Sequence, residues 1–249
     1  MMISFFQGLS MGAAVIIAKT FGAGQHESMR KAIHTAIAVG LVIGVLLIIR
    51  GVGLTPLILQ WMGTPAEVLP QSISYFRYYF FGAIFVVMYN IFVGILHAVG
   101  DSAHPLYFLI ISTFINIGLD LLFVGVLGWG VGSAAVATTI SQGVSALLCC
   151  IRLMRVKEPY QLKLREIRFD FSCLKSIVRF GLPSGIQNSV IGIANLVVQT
   201  NINAFGSAAM AGCGAHSKIE GFAFLPVTCF TMALSTFVGQ NLGARKHDR

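Results

Sequence analysis

Long apolar segments follow one another along almost the whole chain, and they restrict its fold more than any other feature. With a window of about nineteen residues, seven segments are apolar enough to cross a bilayer. They run over residues 1–18, 32–59, 73–99, 105–127, 131–151, 174–204 and 208–242. The repeated ten-residue alternation of polar and apolar residues that is typical of a membrane barrel is lacking. The pattern predicts an all-α integral membrane protein with about seven transmembrane helices.

Charged residues are too few to cover the surface of a soluble protein of this size. They make up 10% of the chain, against 56% for hydrophobic residues, whereas soluble domains carry about 25% charged residues. The five cysteines form no CxxC pair, so neither a disulfide framework nor a zinc site is expected. The lipid bilayer is the expected partner, and no cofactor is predicted.

The basic residues lie between the apolar segments. The formal net charge is +8, and fourteen of the seventeen Lys and Arg residues fall within 19–31, 152–179 and 245–249. A nucleic-acid surface would instead interleave basic residues with exposed aromatic ones on a soluble face, so no nucleic-acid partner is expected. The positive-inside rule makes the basic connections cytoplasmic and predicts a multi-pass protein of the cell (plasma) membrane. The cytoplasmic segments are 19–31, 100–104, 152–173 and 243–249.

Two stretches of the chain resemble each other at an offset of 221 residues. Residues 10–27 align without gaps on residues 231–248. The identical pairs are Met11/Met232, Gly22/Gly243, Ala23/Ala244 and His26/His247. Both stretches end an apolar helix and enter a basic segment, so they have the same orientation in the membrane. An equal orientation predicts a parallel repeat of six helices, a construction known in transporters.

The repeat also predicts how the chain is divided. Residues 1–151 form an amino-terminal lobe that lacks its first helix, 152–173 a cytoplasmic linker, and 174–249 the first two helices of a carboxyl-terminal lobe. A complete protein is expected to have one further helix before this segment and about four after it.

A lone carboxylate lies within the segment 105–127. Asp120 is its single charged residue, and Asn116 lies four residues earlier on the same helical face. Asp120 is nine residues from Trp129, a depth of ~13 Å. Thr138 on the next helix lies at a similar depth of ~10 Å. Acidic residues inside membranes are usually functional, and these oxygens suit either Na⁺ or a proton. A purely structural hydrogen-bonding role is the alternative.

Several tracts together resemble the multidrug and toxic compound extrusion (MATE) transporters. They are GLSMGAAVIIAKTFGAGQHESMRKA, ILHAVGDSAHP, NIGLDLLF, FGLPSGIQ and FVGQNLGAR, and the likeness covers the entire chain. The resemblance implies two six-helix lobes around a central cavity. It also implies antiport, in which drugs, organic cations or other amphipathic compounds leave in exchange for H⁺ or Na⁺. The complete protein is expected to be monomeric and not an enzyme.

The resemblance also implies roles for individual residues. Family members with a cation site in the amino-terminal lobe have an Asn and an Asp in an NxxxD arrangement on helix five, and a Thr on helix six. The corresponding residues of this chain are Asn116, Asp120 and Thr138. The family's further Asp on helix one has no counterpart in this chain. A possible Na⁺ at Asp120 is the one metal ion predicted.

A second group of polar residues lies in the last two apolar segments. Lys218 and Glu220 are two residues apart, so they do not face each other on a regular helix. Two roles are considered for these polar residues: contact with the substrate in the cavity, and polar contacts that hold helices together. The remaining members are Gln187, Asn188, Asn195 and Gln199.

Three alternatives to an exporter are considered. An intramembrane protease needs two nearby carboxylates, and the chain has no GxGD, HExxH or GxSxG motif. A flippase for lipid-linked oligosaccharides, from the same wider superfamily, has the same architecture. An inactive, truncated product is the third alternative.

Overall fold

The computed structural model describes residues 2–61, 69–129, 132–203, 205–246 and 248. Within these ranges the chain forms a bundle of α-helices without strands. The helices are α1 (Met2–Gly22), α2 (His26–Trp61), α3 (Leu69–Phe81), α4 (Ala83–Ala98), α5 (Ala103–Asp120), α6 (Gly132–Arg155), α7 (Phe171–Asn203) and α8 (Ser207–Gly243). A π-helical segment, Leu121–Val126, continues α5, and a 3₁₀ turn, Leu164–Glu166, lies between α6 and α7.

The predicted all-α membrane fold is confirmed. Five stretches of the described chain are long and apolar enough to span a bilayer, namely His26–Leu57, Leu69–Ala98, Ala103–Val126, Gly132–Arg155 and Ala211–Gly243. Helices α1 and α7 correspond to the remaining predicted spans, 1–18 and 174–204. The span predicted over 73–99 begins earlier and is divided at Gly82 into α3 and α4. Most of the connection between the segments predicted at 32–59 and 73–99 lies outside the described residues.

Helix α1 is the centre of the bundle and packs on α2, α4, α7 and α8. Its crossing with α7 is formed by two glycines on each helix, spaced by four residues. A Cβ added at Gly8 would overlap the backbone of Gly185, and one added at Gly12 would overlap that of Gly181. Small residues at this spacing let membrane helices approach until their backbones touch. These glycines therefore join the predicted amino-terminal lobe to α7.

The predicted repeat appears as a reciprocal contact between α1 and α8. A Cβ at Gly22 would overlap the carbonyl oxygen of Gln240, and a Cβ at Gly243 would overlap the carbonyl oxygen of Lys19. Lys19 and Gln240 are themselves 221 residues apart, so each contact is the image of the other. Such mutual contacts are the mark of a two-fold relation.

The two repeat helices run in the same direction. Gly239 lies against Val15, Ala18 and Lys19, while Gly243, one turn later, lies against Lys19 and Ala23. An antiparallel pair would show the opposite progression. The parallel arrangement of the repeat is confirmed. The predicted pair His26/His247 is not compared, because His247 lies outside the described residues.

The linker between the predicted lobes is shorter than the sequence suggested. Helical hydrogen bonding carries α6 to Arg155 and starts α7 at Phe171, so the connection spans 156–170 rather than 152–173. It is held against α2, where Arg30 pairs with Glu166. The buried ring of His34 also contacts the backbone of Lys163, with its Nε2 lying 3.2 Å from the carbonyl oxygen.

The basic segments meet at one end of the bundle, here called the linker face. Asp101 lies there, 2.8 Å from His104 Nδ1 and 3.4 Å from Arg152. Burial by itself raises the pKa of the Asp101 carboxyl, but the hydrogen bonds from His104, together with the nearby positive charges, lower it below its usual value. From α8, Gln240 donates to the carbonyl of Ala98 at 2.8 Å. The grouping of these segments on one side therefore agrees with the structure.

The largest buried side chains also lie toward the linker face. They come from α1, α2, α4, α6 and α7, and they fill the space beneath the polar contacts just described. The largest fully buried apolar members of this core are Ile17, Met29, Ile33, Ile37, Ile95, Leu96, Cys149, Leu153 and Ile177. The large apolar side chains of the described core are thus concentrated at this end.

Candidate functional site

A buried hydrogen bond shows which residues of α5 and α6 lie opposite each other. Ser112 Oγ, buried between the two helices, donates to the carbonyl of Ser141 at 2.6 Å. Because the helices are antiparallel, one turn forward on α5 corresponds to one turn back on α6. Asn116 is therefore level with Ala137, next to Thr138, and Asp120 is level with Ser133.

Asn116 and Asp120 each bury a polar atom that has no hydrogen-bond partner. Asn116 Nδ2 and Asp120 Oδ1 are inaccessible to solvent, although each side chain as a whole is half-buried. Most buried polar atoms in proteins are paired, so an orphaned atom requires an explanation. A half-turn of the Asn116 amide exchanges its nitrogen for its oxygen. The pair can then present two oxygens to a cation, or Asp120 can carry a proton.

A break in helical regularity begins next to Asp120. This residue ends α5, and the following Leu121–Val126 is π-helical. Its wider turns are seen in the bond from Leu127 N–H to the carbonyl of Leu122, at 2.9 Å. Beyond it, Trp129 stacks on Phe123, with ring centroids 5.1 Å apart. π-Helical turns are rare and are frequently found at functional sites.

Thr138 lies on α6, and its hydroxyl is engaged locally. Its hydroxyl donates to the carbonyl of Ala134 at 2.9 Å. Among the described contacts, no hydrogen bond joins it to Asn116 or Asp120. The structure therefore brings the three predicted residues to neighbouring helices, with Thr138 closer in level to Asn116 than to Asp120.

The residue level with Asp120 on α6 is Ser133, which sequence reasoning missed. It is 6% exposed, and its hydroxyl lies 3.4 Å from the carbonyl of Trp129. Counting depth from the turn favoured Thr138, whereas the register fixed by Ser112 and Ser141 selects Ser133. No signal in the linear sequence indicates that register.

A cavity of about 420 Å³ lies elsewhere, between α1, α4, α7 and α8. Its wall is a mixture of apolar side chains, amides and hydroxyls. The lining residues are Gln7, Ser10, Met11, Ala14, Val15, Ala18, Asn90, Val93, Gly94, His97, Asn188, Thr228, Met232, Ser235 and Thr236. Most of them were not among the predicted cavity residues, because their types alone do not distinguish them from lipid-facing residues.

The predicted cavity residues are only partly brought together. Asn188 lines the cavity, while Gln187, Asn195 and Gln199 are exposed on α7. On α8, Lys218 and Glu220 are also exposed, and Glu220 lies 3.8 Å from His216 Nε2. None of these five exposed residues lines the cavity between α1 and α8.

Comparison with known proteins identifies relatives of this architecture. The family model MatE matches residues 1–122 and 183–249. The probable multidrug resistance protein YoeA of Bacillus subtilis (strain 168) is 31% identical, over 100% of this chain and 55% of its own length. The chain thus spans about half the length of such curated relatives.

Solved structures of MATE transporters have the same fold. An outward-facing conformation of a multidrug resistance MATE transporter of the MOP superfamily matches with a TM-score of 0.89 and 28% identity, over 98% of this chain and 55% of that one. An inward-facing conformation matches with a TM-score of 0.78 and 25% identity, over 96% and 59%. The helix order, the parallel repeat and these matches lead to one conclusion: the chain belongs to the MatE family of multidrug efflux transporters.

Proposed function

We propose that this chain forms more than half of a secondary active exporter in which Asp120 binds the coupling Na⁺ or H⁺. The observation that carries the proposal is the buried, unpartnered Oδ1 of Asp120 beside the orphaned amide of Asn116. A carboxylate held inside a membrane without a partner is unfavourable unless it binds a cation or a proton. Thr138 and Ser133 provide hydroxyl oxygens on the facing helix.

The arrangement of the repeats supports alternating access. Helices α1 and α8 cross tightly near the linker face, and the fold matches the outward-facing relative with a higher TM-score than the inward-facing one. Parallel repeats of this kind move against each other around a site at their interface. Release of the Gly22 and Gly243 contact would open the linker face.

The exported compounds are proposed to be drugs, organic cations or other amphipathic molecules. The curated relative is named for multidrug resistance, and the comparisons do not favour the flippase alternative. In the complete transporter, Lys218, Glu220 and the exposed amides of α7 would face the carboxyl-terminal lobe. We expect that transporter to act as a monomer without a cofactor.

Export driven by an imposed ion gradient tests the proposed function. The complete transporter is reconstituted in liposomes loaded with ethidium, and either a Na⁺ or a pH gradient is applied. One of the two gradients is expected to accelerate ethidium export, which identifies the coupling ion. An ionophore that dissipates the gradient should remove this acceleration. Coupled transport is contradicted if the export rate is the same without a gradient, with either gradient and with the ionophore.

The linker is proposed to lie in the cytoplasm, and labelling of single cysteines tests this. In a background without native cysteines, Lys163→Cys is expected to be protected from an impermeant thiol reagent added to intact cells. The side chain of Lys163 is half exposed, so protection would reflect location rather than burial. Lys218→Cys, at an exposed position expected near the opposite face, is the matched control and should be labelled. Labelling of the Lys163→Cys protein in intact cells would reverse the assigned topology.

A further inference from the structure

A cleft of about 390 Å³ lies at the linker face, between the start of α2 and the linker. It shares no lining residue with the cavity between α1 and α8, and Asp120 is not part of it. Four basic and three acidic side chains line this linker cleft, so its wall has an excess of one positive charge when His34 is neutral. The basic members are Arg30 and Lys31 from α2, and Arg165 and Arg168 from the linker.

The linker is attached to α2 at two points, one on each side of its two arginines. At the first point, the buried ring of His34 contacts the backbone of Lys163, with its Nε2 lying 3.2 Å from the carbonyl oxygen. At the second, the N–H of Asp170 donates to the hydroxyl of the fully buried Thr35 at 3.2 Å. The short stretch between these points is therefore positioned before any ligand binds, which lowers the entropic cost of binding.

The carboxylates of the linker cleft already have partners. Glu27 pairs with Lys31 at 2.7 Å, and Glu166 pairs with Arg30. The third carboxylate, Asp170, accepts a hydrogen bond at 3.0 Å from a backbone N–H in the first turn of α7. These contacts engage both basic residues that α2 contributes, and they leave those of the linker.

Arg165 and Arg168 are the two basic residues of the cleft that remain without an acidic partner. Both are exposed, and no ion pair joins either of them to another of the described residues. The planar guanidinium group of arginine binds phosphate oxygens through two parallel hydrogen bonds. Two such groups in the wall of one cleft can bind a single phosphate together.

Exposed apolar side chains beside these arginines favour a membrane lipid over a soluble anion. Leu164 and Phe169, which adjoin the two arginines in the chain, are 59% and 46% exposed, and Phe171 at the start of α7 is 82% exposed. Apolar side chains at a membrane surface insert at the boundary between headgroups and acyl chains. Basic residues at the same surface attract anionic headgroups. The linker thus provides groups for both parts of an anionic phospholipid.

We propose that Arg165 and Arg168 bind the phosphate of an anionic phospholipid, whose acyl chains lie against Leu164, Phe169 and Phe171. A headgroup in the linker cleft would contact both the linker and the start of α2, and so add a further connection between them. This lipid site does not depend on the proposed export function, because it involves neither Asp120 nor the cavity between α1 and α8.

Native mass spectrometry of the complete transporter tests the site. The protein is titrated in detergent with phosphatidylglycerol or with zwitterionic phosphatidylcholine, and the intensities of the lipid-free and lipid-bound protein give each affinity. Phosphatidylglycerol is expected to bind more tightly, since its phosphate charge is not cancelled by choline. The double substitution Arg165→Gln/Arg168→Gln should weaken its binding by on the order of tenfold, because charge-assisted hydrogen bonds are lost. Binding of phosphatidylcholine should not change.

A matched double substitution separates a defined site from general attraction to positive charge. Arg155→Gln/Lys157→Gln removes the same charge at exposed positions outside the linker cleft, and it should leave the affinity for phosphatidylglycerol unchanged. An equal loss of affinity in both double variants would show attraction without a site. Full affinity in Arg165→Gln/Arg168→Gln would show that these residues do not bind the lipid. Either result overturns the proposal.

Two further measurements identify the source of the phosphate and the place where it binds. An excess of inorganic phosphate should fail to displace phosphatidylglycerol, because it lacks acyl chains; displacement would indicate a site for soluble anions and overturn the lipid proposal. In the unsubstituted protein, phosphatidylglycerol should slow amide hydrogen exchange in the linker, residues 156–170, more than phosphatidylcholine does. Equal exchange in the linker with the two lipids would place the bound lipid elsewhere and also overturn the proposal.

Discussion

Replacing Asp120 by Asn in the complete transporter is expected to reduce gradient-driven export to the rate seen without a gradient. The substitution keeps the shape of the side chain but removes the charge and the site of protonation. Because Asp120 Oδ1 is buried without a partner, no hydrogen bond of that atom is lost. Expression and membrane insertion should therefore remain near normal. The measurement is ethidium export from proteoliposomes under the gradient that drives the unsubstituted protein.

A carboxylate between the helices provides the matched control for this substitution. Asp170 lies in the linker, where it accepts a hydrogen bond from Cys173 N–H at 3.0 Å, and Asp170→Asn should keep coupled export. A structural role for Asp120 predicts the reverse pattern, with lower expression and coupling retained in the protein that remains. Unchanged dependence of export on the gradient in Asp120→Asn would refute the coupling role.

Substituting Gly22 by Leu is expected to force α1 and α8 apart at the linker face. Its Cβ alone would overlap the carbonyl oxygen of Gln240, and backbone atoms cannot move aside as a flexible side chain can. Overpacking of this kind destabilises by ~1–3 kcal/mol. The reciprocal geometry predicts a similar effect for Gly243→Leu, whose Cβ would overlap the carbonyl oxygen of Lys19.

Two measurements check the glycine substitutions. Distances measured by double electron–electron resonance between spin labels on the linker-face ends of α1 and α8 should increase. The midpoint temperature of thermal unfolding in detergent should fall. Gly221→Leu is the control, since it lies in α8 with nothing within 4 Å of an added Cβ. Unchanged distances in both Gly22→Leu and Gly243→Leu would show that this crossing does not hold the repeats together.

The membrane fold and the repeat could be predicted because both depend on local or periodic properties. Apolar segments long enough to span a bilayer must form helices, since lipid cannot satisfy backbone groups. The offset between Gly22 and Gly243 was visible because two copies of one helix kept the same small residue where their backbones meet. Asp120 could be selected as a candidate site residue from its charge alone, because charged residues are rare in apolar membrane segments.

The helix boundaries were predicted less well, for reasons that are also local. Polar residues near Arg155 and Phe171 suggested a linker over 152–173, but the helical hydrogen bonding of α6 and α7 extends into that range and shortens the linker to 156–170. Hydropathy reports where a helix leaves lipid rather than where its hydrogen bonding ends. The division at Gly82 and the π-helical segment after Asp120 leave the apolar composition unchanged, so hydropathy did not indicate them.

The sequence by itself determined that this protein is a bundle of membrane helices with a parallel repeat and one conspicuous intramembrane carboxylate. Only the tertiary structure decided which side chains share a site. It placed Ser133 level with Asp120, left the buried atoms of Asn116 and Asp120 without partners, and located the cavity at Met11 and Met232. The physical reason is that hydropathy and repeats are properties of one helix, whereas a site depends on the register and crossing of several. The hydrogen bond from Ser112 reports the register of α5 on α6, and no property of either helix alone specifies it.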